Sequence, residues 1–492
     1  MENRFHSKIF WIILFITAGI ITLNGILTDV GLGDESHHYQ FAQNIYWAGK
    51  RVPYASLYGS GNPPGFFYND PPLWHFILAY LWKVTGGISQ AIAQIYHILF
   101  FILLVWVTSL LAREISGEEG RWSSALILTT VPMVVSFSTL FYMDIPMAAL
   151  ATLSFYFILK KRYIEAGVFS GLAYFTKLNF GFFLPGFLLL ILWNEKKRFL
   201  HTIKSLAFFI LPVLMIYIPD SYWRKLNIRM NVIGWANVSY RLSMVLTGIE
   251  WREYLNSYLT NPVDIVKYFG IVFLFLFIFH FFHLRRWDKK DAVLWVPVIS
   301  YFVVFIIFFG IVSDIRYLIP ILPFLVALAV YSFSALGKRW QVVMIGICLL
   351  QFGSTVFYVH QKRQISPEVK EGFAYLGKNV PQEALILYPE ENLLIYGQRR
   401  IIWTAVGASE GYRLAKKGLQ SLFWPNSVEE MGDILRADHI DYILIKKSRI
   451  YEDHEKHHIG GYPKSFVEKL PHLDGWMKIF ENSGVALWKR IQ

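Results

Sequence analysis

Cysteine is almost absent from these 492 residues: Cys348 is the only one, so no intrachain disulfide staples any part of the chain. Charge is scarce as well. Asp, Glu, Lys and Arg make up 17% of the chain, where a soluble domain carries about a quarter. There is no internal repeat, no low-complexity tract and no nucleotide-binding loop. Gly59-Ser60-Gly61 with Asn62-Pro63-Pro64-Gly65 lacks both a strand before it and a Lys-Ser/Thr helix start after it. What is abundant is apolar: 55% of residues are hydrophobic, 17% are aromatic, and the mean hydropathy is +0.39. One ordinary soluble globule is therefore excluded. The formal charge of +12 does not point to nucleic acid, because residues 361–492 hold 19 Lys and Arg against 17 Asp and Glu. The remaining +10 sits on the apolar first part.

The apolar residues fall in runs such as Ile9–Ile26 and Ile271–Phe282, separated by short basic loops. About 20 helical residues cross a bilayer core, which gives about eleven spans. They start near Ile9, Gln94, Trp122, Asp144, Tyr163, Phe180, Thr202, Val266, Ala292, Tyr317 and Gln341. The pair near Tyr163 and Phe180 is short and broken by Thr176-Lys177-Leu178-Asn179, so a merged helical hairpin is the alternative there. With the amino terminus inside, the inner segments carry Arg4 and Lys8, Arg113 and Arg121, Lys160-Lys161-Arg162, Lys196-Lys197-Arg198, Arg285-Arg286 and Lys338-Arg339, as cytoplasmic loops do. The expectation is a multi-pass protein of the cell membrane with a cytoplasmic N-terminus and an extracytoplasmic C-terminal region. Leu32-Gly33-Asp34 is a poor small-residue cleavage site, so the first span reads as a retained anchor.

Two domains are expected: a membrane domain over 1–360, including long outer loops at 28–92 and 219–265, and a small outer α/β domain over 361–492. The first loop, rich in aromatic residues, suits the membrane interface. It holds two candidate surface helices, Glu35–Trp47 and Pro72–Trp82. In the outer domain Pro367–Leu376 and Val428–Arg436 read as helices, Ala384–Tyr388 and Tyr442–Ile445 as strands, and Met477–Phe480 with Val485–Trp488 as a hairpin around Asn482-Ser483-Gly484.

Ionisable residues at a membrane boundary cost several kcal/mol, about 2.5–3.5 at a helix centre, unless hydrated or paired. Asp34-Glu35, Asp144, Lys177 and Arg316 all fall at the outer level of this topology. Together they describe a polar cavity that holds a phosphate near Lys177 and Arg316 and an acceptor hydroxyl near a carboxylate. Singly, each has a bland reading. Asp34-Glu35 is a solvated pair or a helix cap, Asp144-Ile145-Pro146 a plain cap, Lys177 a snorkelling lysine, and Arg316 a partner of Asp314. His37 and His38 beside the acidic pair make a weak metal signal, and Asp453-His454-Glu455-Lys456-His457-His458 reads as a solvated turn. Arg224, Lys225, Arg229, Arg241 and Arg252 meet lipid headgroups.

In order along the chain, Gly33-Asp34-Glu35-Ser36-His37-His38-Tyr39, Asn69-Asp70-Pro71-Pro72-Leu73-Trp74, Tyr142-Met143-Asp144-Ile145-Pro146, Gly171-Leu172-Ala173-Tyr174-Phe175-Thr176-Lys177 and Arg316-Tyr317-Leu318-Ile319-Pro320-Ile321-Leu322-Pro323 form a series of boxes. The series resembles the integral-membrane C-type glycosyltransferases, in particular the bacterial relatives of protein mannosyltransferases and of lipid A aminoarabinose transferase. The resemblance covers about residues 9–335. It implies a GT-C helical fold and transfer of a sugar from a polyprenyl-phosphate donor to an acceptor hydroxyl on the outer face, with inversion. Asp34 is then the general base, and Lys177, Arg316 and Tyr317 bind the donor phosphate. Glu35, His37, Asp70 and Asp144 position substrate or hold a metal. Where the family often carries Lys or His, this chain has Asn69-Asp70, which shifts phosphate contact towards Lys177 and Arg316. No cofactor is required, and a divalent ion is the open alternative. The expected partners are the lipid-linked sugar, a glycan, lipid or protein acceptor, and membrane lipids, with no nucleic acid. The rival function is a transporter or flippase for lipid-linked glycans, whose sites sit near the bilayer midplane between repeated halves.

Overall fold

The computed structural model describes residues 2–30, 34–50, 72–195, 199–227, 262–283, 289–309, 315–381, 384–388, 400–403, 427–437, 439–452 and 462–491. Two compact units emerge: residues 1–27 with 70–362, and residues 28–69 with 363–492.

The first unit is helical and built on one apolar core. Its helices are α1 (Glu2–Leu27), α3 (Leu73–Val84), α4 (Gln90–Thr130), α5 (Pro132–Thr139), α6 (Asp144–Leu159), α7 (Tyr163–Tyr174), α8 (Leu184–Glu195), α9 (Phe199–Asn227), α10 (Pro262–Phe269), α11 (Ile271–His283), α12 (Lys289–Phe309), α13 (Leu322–Ala335) and α14 (Lys338–Lys362). Turns of 3₁₀ helix at Leu178–Phe183 and Ile315–Ile321 lead into α8 and α13. Among the described residues six helices are long and apolar enough to cross a membrane, or seven if the bent pair α5 and α6 is one span. Helix is found at every expected span, with shorter apolar helices at Leu73–Val84, Ile271–Phe282 and Asp291–Phe305 besides, and this measure does not confirm the count of eleven. At about 1.5 Å per residue the 41 residues of α4 are twice a bilayer core. Helical geometry is broken at Gly117, whose φ of 72° and ψ of −161° suit glycine alone, so α4 is two helices joined at a kink, one for each of the spans expected from Gln94 and Trp122. α5 and α6 meet at 115°. α7 packs on α6 and α9, and the latter contact is close: a Cβ at Gly171 would lie 2.7 Å from Ile216 Cδ1.

The second unit contains α2 (Asp34–Ala48), α15 (Pro367–Asn379), α16 (Val428–Ala437), α17 (Lys464–Lys469) and a five-stranded sheet in the order β2-β1-β3-β7-β6. β1 (Leu385–Tyr388) pairs in parallel with β2 (Arg400–Trp403) and β3 (Tyr442–Lys446); β7 (Val485–Arg490) runs antiparallel to β3 and β6 (Trp476–Glu481). A second, two-stranded sheet joins β4 (Ile450–Tyr451) to β5 (Tyr462–Pro463). Period-two alternation buries both faces of the main sheet. Ile386, Tyr442, Leu444, Val485 and Leu487 meet Val369, Phe373 and Leu376 of α15. On the other face Leu387, Ile443, Ile445 and Trp488 meet Met431 and Leu435 of α16 and Phe466 of α17. The expected helices, strands and hairpin of this region are present, and β2 is additional.

Candidate active site

In the first unit the site is built at the start of α6. The backbone leaves α5, turns at Leu140 and Tyr142, and re-enters helix at Asp144. Met143 holds the N-cap position and no side chain caps the helix. The plain-cap reading of Asp144 therefore gives way to a pairing. Both its oxygens accept from Lys177 Nζ, Oδ1 at 2.9 Å and Oδ2 at 2.8 Å. The Asp144 side chain is fully buried, and that of Lys177 is 9% exposed. Nor does Lys177 snorkel. Its backbone is extended (φ −154°, ψ 133°) where α7 stops and the 3₁₀ turn begins, and its N–H still donates to the Ala173 carbonyl at 3.0 Å. The break between the two short helices is what turns the lysine inward.

Arg316 joins the same constellation through aromatic rings. Its Cζ lies 5.1 Å from the Tyr142 ring centroid and 5.3 Å from that of Tyr317, while Lys177 Nζ lies 5.1 Å from the Tyr317 ring. Two cations thus flank one tyrosine, within cation–π range. Tyr317 is fixed from behind, since the Tyr301 hydroxyl donates to its carbonyl at 2.8 Å. α3 is moored to the lysine segment by Leu73 N–H donating to the Phe175 carbonyl at 3.0 Å. There the buried Trp74 ring packs against Tyr96, His97 and Phe141, with centroids 5.8–5.9 Å apart.

Asp144, Lys177, Arg316 and Tyr317 are thus brought together. Asp34 begins α2 and His37 lies in its first turn, but the side chains of both lie outside the described residues. So do Asp70, Asp314, and the runs 228–261 and 453–461. Glu35, in the second unit, is fully buried and pairs with Arg363. Among the described residues no group of three or more His, Cys, Asp or Glu is placed to hold a metal ion. Sequence reasoning missed Tyr142 and Tyr301 as site-building residues, although Tyr142 stood inside the Asp144 box.

The model of the dolichyl-phosphate-mannose-protein mannosyltransferase family matches residues 69–223, which contain Asp144 and Lys177. No curated protein sequence matches the chain. Among solved structures, ArnT from Cupriavidus metallidurans bound to undecaprenyl phosphate is similar over 97% of both chains, with a TM-score of 0.64 and 12% identity. The Archaeoglobus fulgidus oligosaccharyltransferase in its apo form matches over 90% of this chain and 69% of its own, with a TM-score of 0.62 and 12% identity. AglB from the same organism, in complex with an inhibitory peptide and a dolichol-phosphate, matches over 90% of this chain and 70% of its own, with a TM-score of 0.57 and 11% identity. The fold is that of the polytopic GT-C glycosyltransferases, with a small C-terminal α/β region.

Proposed function

We propose that the chain is a membrane glycosyltransferase that moves a sugar from a polyprenyl-phosphate donor to an acceptor hydroxyl on the outer face of the cell membrane. The observation that carries this reading is the buried Asp144–Lys177 pair beside Arg316, at the head of an apolar helix. Similar solved structures hold undecaprenyl phosphate and dolichol-phosphate. The basic inner loops support an N-terminus in the cytoplasm and a C-terminal region outside the cell.

Lys177 and Arg316 offset the charge that develops on the departing lipid phosphate, with Tyr317 lying against both cations. Asp144 keeps Lys177 in place while no phosphate is bound. Asp34, at the start of α2, takes the proton of the acceptor hydroxyl. That oxygen bonds to the anomeric carbon as the bond from carbon to phosphate oxygen breaks, and the electron pair leaves with the lipid phosphate. A single displacement inverts the anomeric centre. His37 and Asp70 help to receive sugar and acceptor, while Glu35 is buried against Arg363. Fixed cations do this work without a nucleotide, and the acceptor is a glycan, a lipid or a protein.

The test is transfer by Asp34→Asn from the polyprenyl-phosphate sugar extracted from cells lacking the protein. Loss of transfer in a folded variant is expected, and retained turnover overturns the base assignment. A product of retained anomeric configuration overturns the single displacement. Movement of the lipid-linked sugar across vesicles with no covalent product would favour the flippase.

A further inference from the structure

Glu35 follows the proposed base directly, yet its side chain is fully buried and its Oε1 accepts from Arg363 Nη2 at 2.5 Å. The Arg363 side chain is equally buried, and its Nη1 donates to Thr28 Oγ1 at 2.9 Å. The backbone is tied in the same place: Asp29 N–H donates to the Arg363 carbonyl at 3.1 Å, and Ile365 N–H to Asp29 Oδ2 at 2.8 Å. Lys370 Nζ lies 3.0 Å from that same Asp29 oxygen. Residues Thr28, Asp29 and Glu35 are thus clamped to Arg363, Ile365 and Lys370, more than three hundred residues away in sequence, through one guanidinium and one aspartate. A buried ion pair is a poor device for stability alone, since well-packed apolar residues often serve as well, and it is best suited to fixing one geometry. The geometry fixed here is the first turn of α2. A helix turns by roughly 100° per residue, so holding the Glu35 side chain sets the rotation of the turn that begins at Asp34.

We infer that Arg363 is a positioning residue for the transfer reaction: through Glu35 and Thr28 it fixes the orientation of the helix start that carries Asp34. The inference rests on the reading of Asp34 as base. Misplacing a reacting group by about 1 Å costs about a hundredfold in rate, so loosening the clamp acts on kcat and leaves donor binding alone.

The experiment uses full-length protein in lipid nanodiscs, the lipid-linked sugar extracted from cells lacking the protein, and the membranes of those cells as acceptor. Undecaprenyl phosphate serves as the binding probe. Arg363→Lys is expected to lower kcat at least tenfold, with the donor KM and undecaprenyl phosphate affinity changed less than twofold. Hydrogen exchange should rise in the peptide over residues 34–40 and stay unchanged in the sheet. Thr28→Val, which leaves the ion pair intact, should lower kcat about threefold by the same route. The double variant Arg363→Gln with Glu35→Gln leaves no unpaired buried charge. It should melt close to the parent and still turn over slowly, so the test does not depend on the single variant folding. Native kcat in a folded Arg363→Lys or in the double variant overturns the inference, as does a rise in exchange spread over the whole second unit. Asp34→Asn is run alongside. If it keeps its activity, the base reading has failed; if it is inactive while Arg363→Lys is native, only the positioning role has failed.

Discussion

The two ends of α6 treat charge in opposite ways. Beyond its C-terminal end, Lys160 meets Glu114 at 2.7 Å and Arg162 meets Glu165 at 2.5 Å, with all four side chains 38–57% exposed. At its N-terminal end Asp144 and Lys177 are sealed from solvent. Exposed pairs are worth about 0–1 kcal/mol each and are interchangeable with other solvated charges. Breaking a buried pair by removing one partner costs about 3–5 kcal/mol, while replacing both partners is often neutral. The same device, the salt bridge, thus marks a water-facing rim at one end and a site held at a cost at the other.

The sharpest way to break the contrast is at the buried pair. Lys177→Met should destabilise by about 3–5 kcal/mol and lower transfer by at least about a hundredfold. The double variant with Asp144→Asn should recover most of the melting temperature and none of the activity. Recovery of both would make the pair a packing element. Next, Arg316→Ala should weaken binding of undecaprenyl phosphate by about 10–100-fold, the worth of one charged hydrogen bond of about 1.5–3 kcal/mol, measured by titration in nanodiscs. At the other end, Glu114→Gln should leave transfer unchanged and shift the melting temperature by about 1 °C or less. A larger shift would mean that the exposed rim is also structural.

The smallest effect belongs to an exposed cluster in the second unit. Hydrogen bonds from Lys478 and then Lys447 hold the Glu481 carboxyl below its ordinary range. A carboxyl depressed on folding contributes stability above its unfolded pKa and loses it as pH falls through the folded value. The parent should therefore lose a little stability below the ordinary carboxylate range, and Glu481→Gln should flatten that limb without affecting transfer.

Much of this could be read from the chain, for identifiable reasons. Hydropathy placed helix at every expected span, and period-two alternation placed β1, β3, β6 and β7, because both patterns are local. The crossing count was less legible, since a kink at Gly117 joins the spans expected from Gln94 and Trp122 end to end and a break at Val131 interrupts the second of them. β2 escaped because it opens on the last of three polar residues, Gln398-Arg399-Arg400, leaving only Ile401-Ile402-Trp403 as an apolar run. Sharing a membrane level drew Asp144, Lys177 and Arg316 into one hypothesis. Their pairing was not legible, because residues 33 apart on different helices meet only through the break after α7. Arg363 was hidden by its setting, since a basic residue after a span ordinarily faces headgroups.

The contact between Asp29 and Arg363 also sets an order of events during synthesis. The second unit is interrupted in sequence by nearly the whole first one, so the segment that leaves α1 cannot find its partners when it emerges. It must wait for the membrane helices to be made, tens of seconds at about 5–20 residues per second. The helix start at Asp34 is therefore clamped only once the ribosome has passed residue 363. A chain released early would hold its apolar helices and lack the buried partner of Glu35.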